Sequence, residues 1–385
     1  MSKVNSNRNK ISRNTIWYLV AGLGGHAYLL ISLPLIQGAL LPSEFGSFMI
    51  LSQVTIILQM AISGLFSGAI IRLRVEYSEI EQRYFIFTVI LSAVALQAAI
   101  WAILAWLGEP LLIAFYPNLT PNLGVLPTLL GAWNLILTVR TLVTTFLKSQ
   151  EAPKRLLTLN LCYGITLLAS LWVTLIAQPL EIGEPNALVR VFWAIIFAEL
   201  TASFMASYFL SGHLVPKLKG NYIRVILKFT TPLALGSIML ALVFNLDIII
   251  LARYISLETL GIYAFGATLG KASAAVVTAY VSAYSPHLIN RLSLRSIAET
   301  SKMIEKIMAD NLVFLGVITG VVILCAEAII AIMLSPPSQT EINVMSSPGL
   351  AVWSLVAICI GNLSRSVFLV FYNTIFMLKR TWLLL

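Results

Sequence analysis

The chain has 385 residues, of which 59% are hydrophobic and only 11% charged, against roughly 25% charged in an ordinary soluble domain. So few polar side chains cannot cover a water-soluble fold of this size, and so many apolar ones exclude a disordered chain. The formal charge of +9, from 25 Lys and Arg against 16 Asp and Glu, would suggest nucleic acid in a soluble protein. At a mean hydropathy of +0.91 it points first to membrane topology.

A bilayer core of ~30 Å takes roughly 20 apolar residues per helix. Ten stretches qualify: 15–40, 48–71, 84–107, 123–147, 156–177, 188–210, 229–252, 261–285, 307–334 and 349–376. They are too long for strands and lack the alternation of a membrane barrel, so the expected fold class is an all-α polytopic membrane protein. The first stretch follows a basic segment (Lys3, Arg8, Lys10, Arg13) and shows no small-residue cleavage site, so it reads as a retained span rather than a signal peptide.

Lys and Arg set the orientation. With the N-terminus in the cytoplasm, 20 of the 25 basic residues fall on that side. They include Arg72, Arg74 and Arg83, then Lys148, Lys154 and Arg155, then Lys217, Lys219, Arg224 and Lys228. Arg291, Arg295, Lys302 and Lys306 follow, and finally Lys379 and Arg380. The opposite segments hold Glu44, Glu109, Glu181, Glu184, Glu258 and Glu341, with only Arg190 and Arg253 at their edges. Both termini are therefore expected in the cytoplasm of a cell whose cytoplasmic (inner) membrane holds the protein. Residues 291–306 read as an amphipathic helix on the membrane surface.

No polar segment carries a phosphate-binding loop, an HExxH, a GxSxG or a clustered carboxylate pair. An enzyme or an ATP-driven pump is not expected, nor is a cofactor. Cys162, Cys325 and Cys359 lie in apolar runs without CxxC spacing or His neighbours, and read as buried apolar side chains rather than metal ligands or a disulfide framework.

The chain repeats itself. Leu40 to Phe48 and Ile255 to Tyr263 each hold a short turn, an acid, and Gly-x-aromatic at the start of a span. The offset is 215, and it also carries Arg13 to Lys228 and Ile71 to Pro286. Arg140, with Lys154-Arg155 beyond it, matches Arg365 with Lys379-Arg380 at an offset of 225. Six spans separate the copies, which makes a parallel repeat about an axis along the membrane normal. The expected lobes are residues 1–213, with spans 1–6, and 214–385, with spans 7–10. A second copy of six would continue into spans 11 and 12, so the second lobe is expected to be incomplete.

Ionisable groups near the bilayer centre cost ~2.5–3.5 kcal/mol on insertion scales and normally face protein or water. Arg140, Lys271 and Arg365 are candidate substrate-binding cations for a pyrophosphate or acidic sugar. Each has an alternative: Arg140 could snorkel to the headgroups, and Lys271 or Arg365 could form an ion pair. Glu199 is the expected partner of such a pair or a proton-coupling carboxylate. Asp247, near Asn245, suits ion coupling or interlobe hydrogen bonding. His26 on a Gly-rich span is either a packed side chain or a relay, and Glu327 lies near the outer water.

The segment from Arg13 through Leu-Leu-Pro-Ser-Glu-Phe-Gly-Ser-Phe to Ile71-Arg72 resembles the opening of the polysaccharide biosynthesis proteins, the Wzx-type flippases. Lys228-Phe-Thr-Thr-Pro232, Gly236, Asn245-Leu-Asp247, Gly261-Ile-Tyr263 and Ser285-Pro286 resemble the start of that family's second half. The resemblance implies the multidrug/oligosaccharidyl-lipid/polysaccharide exporter superfamily and a MATE-like fold of two lobes around a central cavity. It implies alternating access, a lipid-linked (undecaprenyl-pyrophosphate) oligosaccharide as cargo, the lipid bilayer as surroundings, and polysaccharide polymerase or assembly proteins as further partners, with no nucleic acid. Two other readings stand beside it: a multidrug or small-solute antiporter of the same superfamily, and a non-transporting scaffold in a polysaccharide-synthesis complex.

Overall fold

A computed structural model describes residues 17, 20–22, 27–28, 30–116, 124–150, 152–177, 187–271, 309, 312–313, 316–334 and 348–377, with the backbone alone for 75, 115, 176–177, 334, 348 and 364–377. All regular structure among these residues is helical. The helices are α1 (Leu30–Ala39), α2 (Pro42–Arg72), α3 (Glu79–Phe115), α4 (Leu126–Ser149) and α5 (Pro153–Leu171). They continue with α6 (Ala187–Ser211), α7 (Gly220–Tyr254), α8 (257–271), α9 (Gly316–Leu324), α10 (Ala326–Leu334) and α11 (Pro348–Met377). A 3-10 turn, Arg74–Glu76, follows α2, and a π-helical stretch, Trp172–Ala177, extends α5. The six helices α2 to α7 are long and apolar enough to cross a membrane, and α9 with α10 are together apolar enough but bent by 60°, the shape of a broken span or a re-entrant loop.

Local chemistry marks the helix starts. Pro42 and Pro153 occupy the first turns of α2 and α5, where a missing N–H costs nothing. Glu44 turns back to accept the Leu41 N–H at 2.9 Å, and Glu81 accepts the Ser78 hydroxyl at the head of α3 at 2.9 Å. Inside the spans, many hydroxyls bond their own helix four residues back. Thr201 donates to the Phe197 carbonyl at 2.9 Å and Thr230 to Ile226 at 2.7 Å. Such bonds leave no unmet donor toward lipid. Large apolar side chains are left on the outside, Trp106 at 81% and Phe204 at 82% exposure, while Phe45, Phe85, Phe146 and Phe192 lie within. That outward apolar surface is what a bilayer covers.

Contacts divide the chain into two units. One is Leu35–Gly261, in which α4 packs against α2, α3 and α6, α5 against α6, and α2 along α7. The other is Met1–Pro34 with Ile262–Leu383, in which α8 and α10 pack on α11. The repeat-derived limits, 1–213 and 214–385, run differently at spans 1 and 7. The reason is steric: Gly64 of α2 lets α7 approach so closely that a Cβ there would lie 2.7 Å from Ser237 Oγ and 3.0 Å from Ala234 Cα. The segment at 212–219, between α6 and α7, is non-helical.

The repeat is visible in space at one point. An offset of 215 pairs Pro42 with Leu257 and Gly46 with Gly261. A Cβ on Gly46 would strike the Leu257 carbonyl, and one on Gly261 would come within 2.5 Å of the Pro42 carbonyl. The contact is reciprocal, as at a two-fold axis. Both obstacles are backbone atoms, which cannot swing aside. Gly46→Ala and Gly261→Ala should each destabilise the detergent-solubilised protein by about 1–3 kcal/mol, the usual cost of overpacking. Gly38→Ala, with open space around it, should be neutral or slightly stabilising in the same thermal-unfolding measurement.

Candidate functional site

Helix α4 carries a polar row through the middle of the unit Leu35–Gly261. Asn134 and Thr138 are fully buried. Thr138 donates to the Gln59 side-chain oxygen of α2 at 3.1 Å, and Thr145 donates to Ser67 of the same helix at 3.2 Å. On another side of α4, Ser203 of α6 donates to the Ile136 carbonyl at 2.9 Å. These bonds tie α2, α4 and α6 together at the level of the apolar core, where a polar group without a partner is expensive.

The strongest interaction on this helix is an ion pair. Arg140 donates from Nε to Glu199 Oε2 at 2.6 Å and from Nη2 to Oε1 at 2.9 Å. The Glu199 side chain is 1% exposed and that of Arg140 16%. The Tyr163 ring of α5 lies under the guanidinium, 4.3 Å from centroid to Cζ. The planar, two-pronged fit and the aromatic face are properties of Arg that Lys would not reproduce. The pair therefore joins α4, α5 and α6. Arg140 sits nine residues before the end of α4, ~13 Å along the axis at 1.5 Å per residue, so its charge lies well inside the span.

The unit that includes Ile262–Leu383 holds the second set of candidates. Gly270 of α8 accepts a hydrogen bond from the Asn362 amide of α11 at 3.1 Å and a longer one from Cys359 Sγ at 3.8 Å. A Cβ on Gly266 would strike the Ala351 carbonyl and Ser354, and one on Gly270 would lie 2.8 Å from the Leu355 carbonyl. Lys271, half-buried, follows Gly270 directly, and Arg365 lies three residues beyond Asn362. The contact thus sets Lys271 and the Arg365 backbone at neighbouring levels of two touching helices.

Asp247 is half-buried on α7, and Asn245, two residues before it, is buried and donates to the Ala241 carbonyl at 2.7 Å. His26 lies outside the described residues, as does the segment 291–306. Glu327 is exposed. Of the cysteines expected inside, Cys359 is buried, Cys162 is half-buried, and Cys325 is exposed at the bend between α9 and α10. A side chain facing outward from a span meets lipid, so its apolar character gives no sign of burial in protein.

One end of the unit Leu35–Gly261 is basic and aromatic. Tyr77, Phe85 and Tyr222 pack with centroids 5.0, 5.0 and 5.5 Å apart. Lys219 stands over Tyr84 at 5.1 Å and Tyr222 at 5.2 Å. His213 packs on Phe146, and burial, then Arg155, Arg83 and Arg74, hold its pKa below the ordinary histidine value, so it is neutral at pH 7. Sequence alone did not single out Tyr163, Gln59 or this His213 cluster. The signal available was weak: a Tyr on α5 and a Gln on α2 without any indication of the helices they meet.

This architecture is a MATE-like fold of a multi-pass helical membrane protein. It is similar to the MATE transporter VcmN from Vibrio cholerae in a mutant form, with a TM-score of 0.72 at 15% identity over 100% of this chain and 86% of that one. It is similar to an inward-facing multidrug resistance MATE family transporter of the MOP superfamily (TM-score 0.62, 11% identity, 95% and 88% covered). It also resembles a MOP superfamily transporter from Pyrococcus furiosus whose binding pocket is described as having reverse polarity, suggesting a different function (0.55, 14%, 97% and 90%). At these identities the likeness shows the fold. No curated protein matches the sequence. The family model described as "Polysaccharide biosynthesis protein" matches residues 11–291, and the chain belongs to that family.

Removing one member of a buried, hydrogen-bonded ion pair leaves the other charge uncompensated, at a cost of about 3–5 kcal/mol. Glu199→Gln or Arg140→Gln should lower thermal stability by that order. The double variant Arg140→Met with Glu199→Leu should recover most of the loss, because it removes both charges. Equal stability of the single variants and the parent in a thermal-unfolding series would show that the pair is screened.

Proposed function

We propose that the protein is a flippase that carries an undecaprenyl-pyrophosphate-linked oligosaccharide from the cytoplasmic to the outer leaflet of the inner membrane by alternating access. The reading is supported by the contact of α8 and α11, which brings Lys271 and the backbone of Arg365 to neighbouring levels in a chain of the polysaccharide biosynthesis family. A cation within a span is costly unless a counter-charge or water meets it. Lys271 and Arg365 supply a point charge and a two-pronged donor, which suit the oxygens of a pyrophosphate or an acidic sugar. The lipid tail of such a cargo stays in the bilayer while the headgroup crosses between the lobes, and no covalent bond changes.

Arg140 enters the proposal with its charge already met by Glu199. The pair neutralises both groups and holds α4, α5 and α6 as one body, which a rocking lobe requires. Asp247 and His26 are the residues left for ion coupling or contact between lobes. The excess of Lys and Arg on alternate connections supports the orientation with both termini in the cytoplasm. The reverse polarity ascribed to the Pyrococcus furiosus pocket supports the idea that pocket charge, within one fold, follows the cargo.

Hydrogen bonds to charged groups are worth about 1.5–3 kcal/mol each, so Lys271→Ala and Arg365→Ala should each slow transport roughly tenfold or more. The measurement is the lipid-linked sugar that reaches the outer leaflet in cells producing normal amounts of each variant. Unchanged transport would remove these residues from the site. Resistance to cationic dyes on expression of the parent would favour an antiporter, and insertion with partner binding but no flipping would favour a scaffold.

A further inference from the structure

At the basic end of the unit Leu35–Gly261 stand three arginines and a histidine from four separate elements. Arg74 comes from the 3-10 turn after α2, Arg83 from the start of α3, Arg155 from the start of α5, and His213 from the segment between α6 and α7. Arg74 is only 6% exposed. Its Nη2 donates to the Ser149 carbonyl at 3.1 Å, which satisfies the end of α4 and sets a positive charge at a helix C-terminus. Its Nε and Nη1 are buried and donate to no atom. Buried donors are almost always met, and a guanidinium with two unmet nitrogens calls for a partner.

No carboxylate among the described residues fills that place. Glu76 pairs with Arg72 at 3.6 Å and Glu79 with Arg83 at 3.7 Å, while Glu81 caps α3 through Ser78. The Arg74 guanidinium lies 5.5 Å from the centroid of the Phe146 ring, and His213 packs on that same ring at 5.3 Å. The charges of Arg83 and Arg155 bear on His213 as well, and Arg155 stands over the Phe209 ring at 6.0 Å. Exposure is graded: Arg155 is open, Arg83 and His213 are half-buried, and Arg74 lies deepest. A neutral imidazole at the mouth can donate a hydrogen bond without adding to the repulsion among the cations.

We propose that Arg74, Arg83, Arg155 and His213 form a binding site for a phosphate group at the membrane surface, with the buried Arg74 nitrogens as its innermost donors. A tetrahedral anion presents oxygens in several directions, which matches donors arriving from four elements better than a planar carboxylate does. Basic pockets between transmembrane helices take lipid headgroups in this way. The phosphate belongs either to an anionic phospholipid or to the solution. The inference is independent of the transport reading, since it concerns a site within one unit and uses neither Lys271 nor Arg365.

The test is thermal unfolding of the full-length protein in nanodiscs, because a ligand of the folded state raises Tm. One arm compares phosphatidylcholine discs with discs holding phosphatidylcholine and phosphatidylglycerol in equal parts. The other adds inorganic phosphate to phosphatidylcholine discs, against chloride at the same ionic strength. We expect a rise of several degrees in at least one arm, and the arm that responds names the source. Arg74→Gln and Arg155→Gln should abolish the rise, while Lys154→Gln, an equal charge change next to Arg155, should keep it. Glu151 lies outside the described residues, and Glu151→Gln should also keep the rise. The proposal is overturned if neither arm responds, if Arg155→Gln responds like the parent, if Lys154→Gln loses as much as Arg155→Gln, or if Glu151→Gln abolishes the response. Should Arg74→Gln fail to fold, Arg83→Gln and Arg155→Gln, at the open side of the site, decide the matter alone.

Discussion

Inside a hydrocarbon layer, every polar group must find its partner within the chain. Most of this structure follows from that requirement. It makes each span a helix, because a helix closes its own backbone bonds. It turns Thr201 and Thr230 back on their own carbonyls. It brings Thr138 to Gln59 across two helices, and it makes Arg140 and Glu199 meet in a two-pronged pair rather than stand apart. The same rule gives the two buried, unmet nitrogens of Arg74 their interest.

Helix association in lipid gains little from burying apolar surface, because lipid is as apolar as Leu. Close fit of backbones takes its place. Gly46 and Gly261 meet each other's helix ends reciprocally, Gly64 admits α7 against α2, and Gly266 with Gly270 seats α8 on α11. These contacts link the repeat in the sequence to a fold with two related halves. They also place the charged candidates: Lys271 and Arg365 come to neighbouring levels because Gly270 has no side chain to hold α11 away. A function built on rocking lobes needs such rigid seams, with mobility confined to the joints between bodies.

The spans were largely legible. Every apolar stretch that falls in the described residues holds helix, and the limits of α4, α6 and α11 match those expected to within a few residues. Hydrophobic length is a local property, and lipid imposes it on each span separately. The bend of 60° between α9 and α10 was not legible, because the stretch 307–334 is apolar on both sides of Cys325. The pairing of Arg140 with Glu199 was half legible: both were recognised as charges in spans, but Glu199 was assigned to other partners. Their separation of 59 residues gives no local pattern, and only the contact of α4 with α6 brings them together. The grouping of α7 with α2 was likewise hidden, since the residues responsible, Gly64, Ala234 and Ser237, are small ones common in any span.

The amino-acid sequence by itself determined that this is a helical membrane protein, where its spans run, which of its ends are basic, and that its two parts repeat. Those are consequences of hydrophobic length, charge placement and self-similarity, all of which can be read along one dimension. Tertiary structure alone decided which charges are neutralised and which helices share a unit. It decided that Tyr163 lies under Arg140, that Asn362 meets Gly270, and that two nitrogens of Arg74 are buried without a partner. Such pairings depend on distances of a few ångströms between residues tens of positions apart, and close helix approach, set by the side chains that are missing as much as by those present, fixes them.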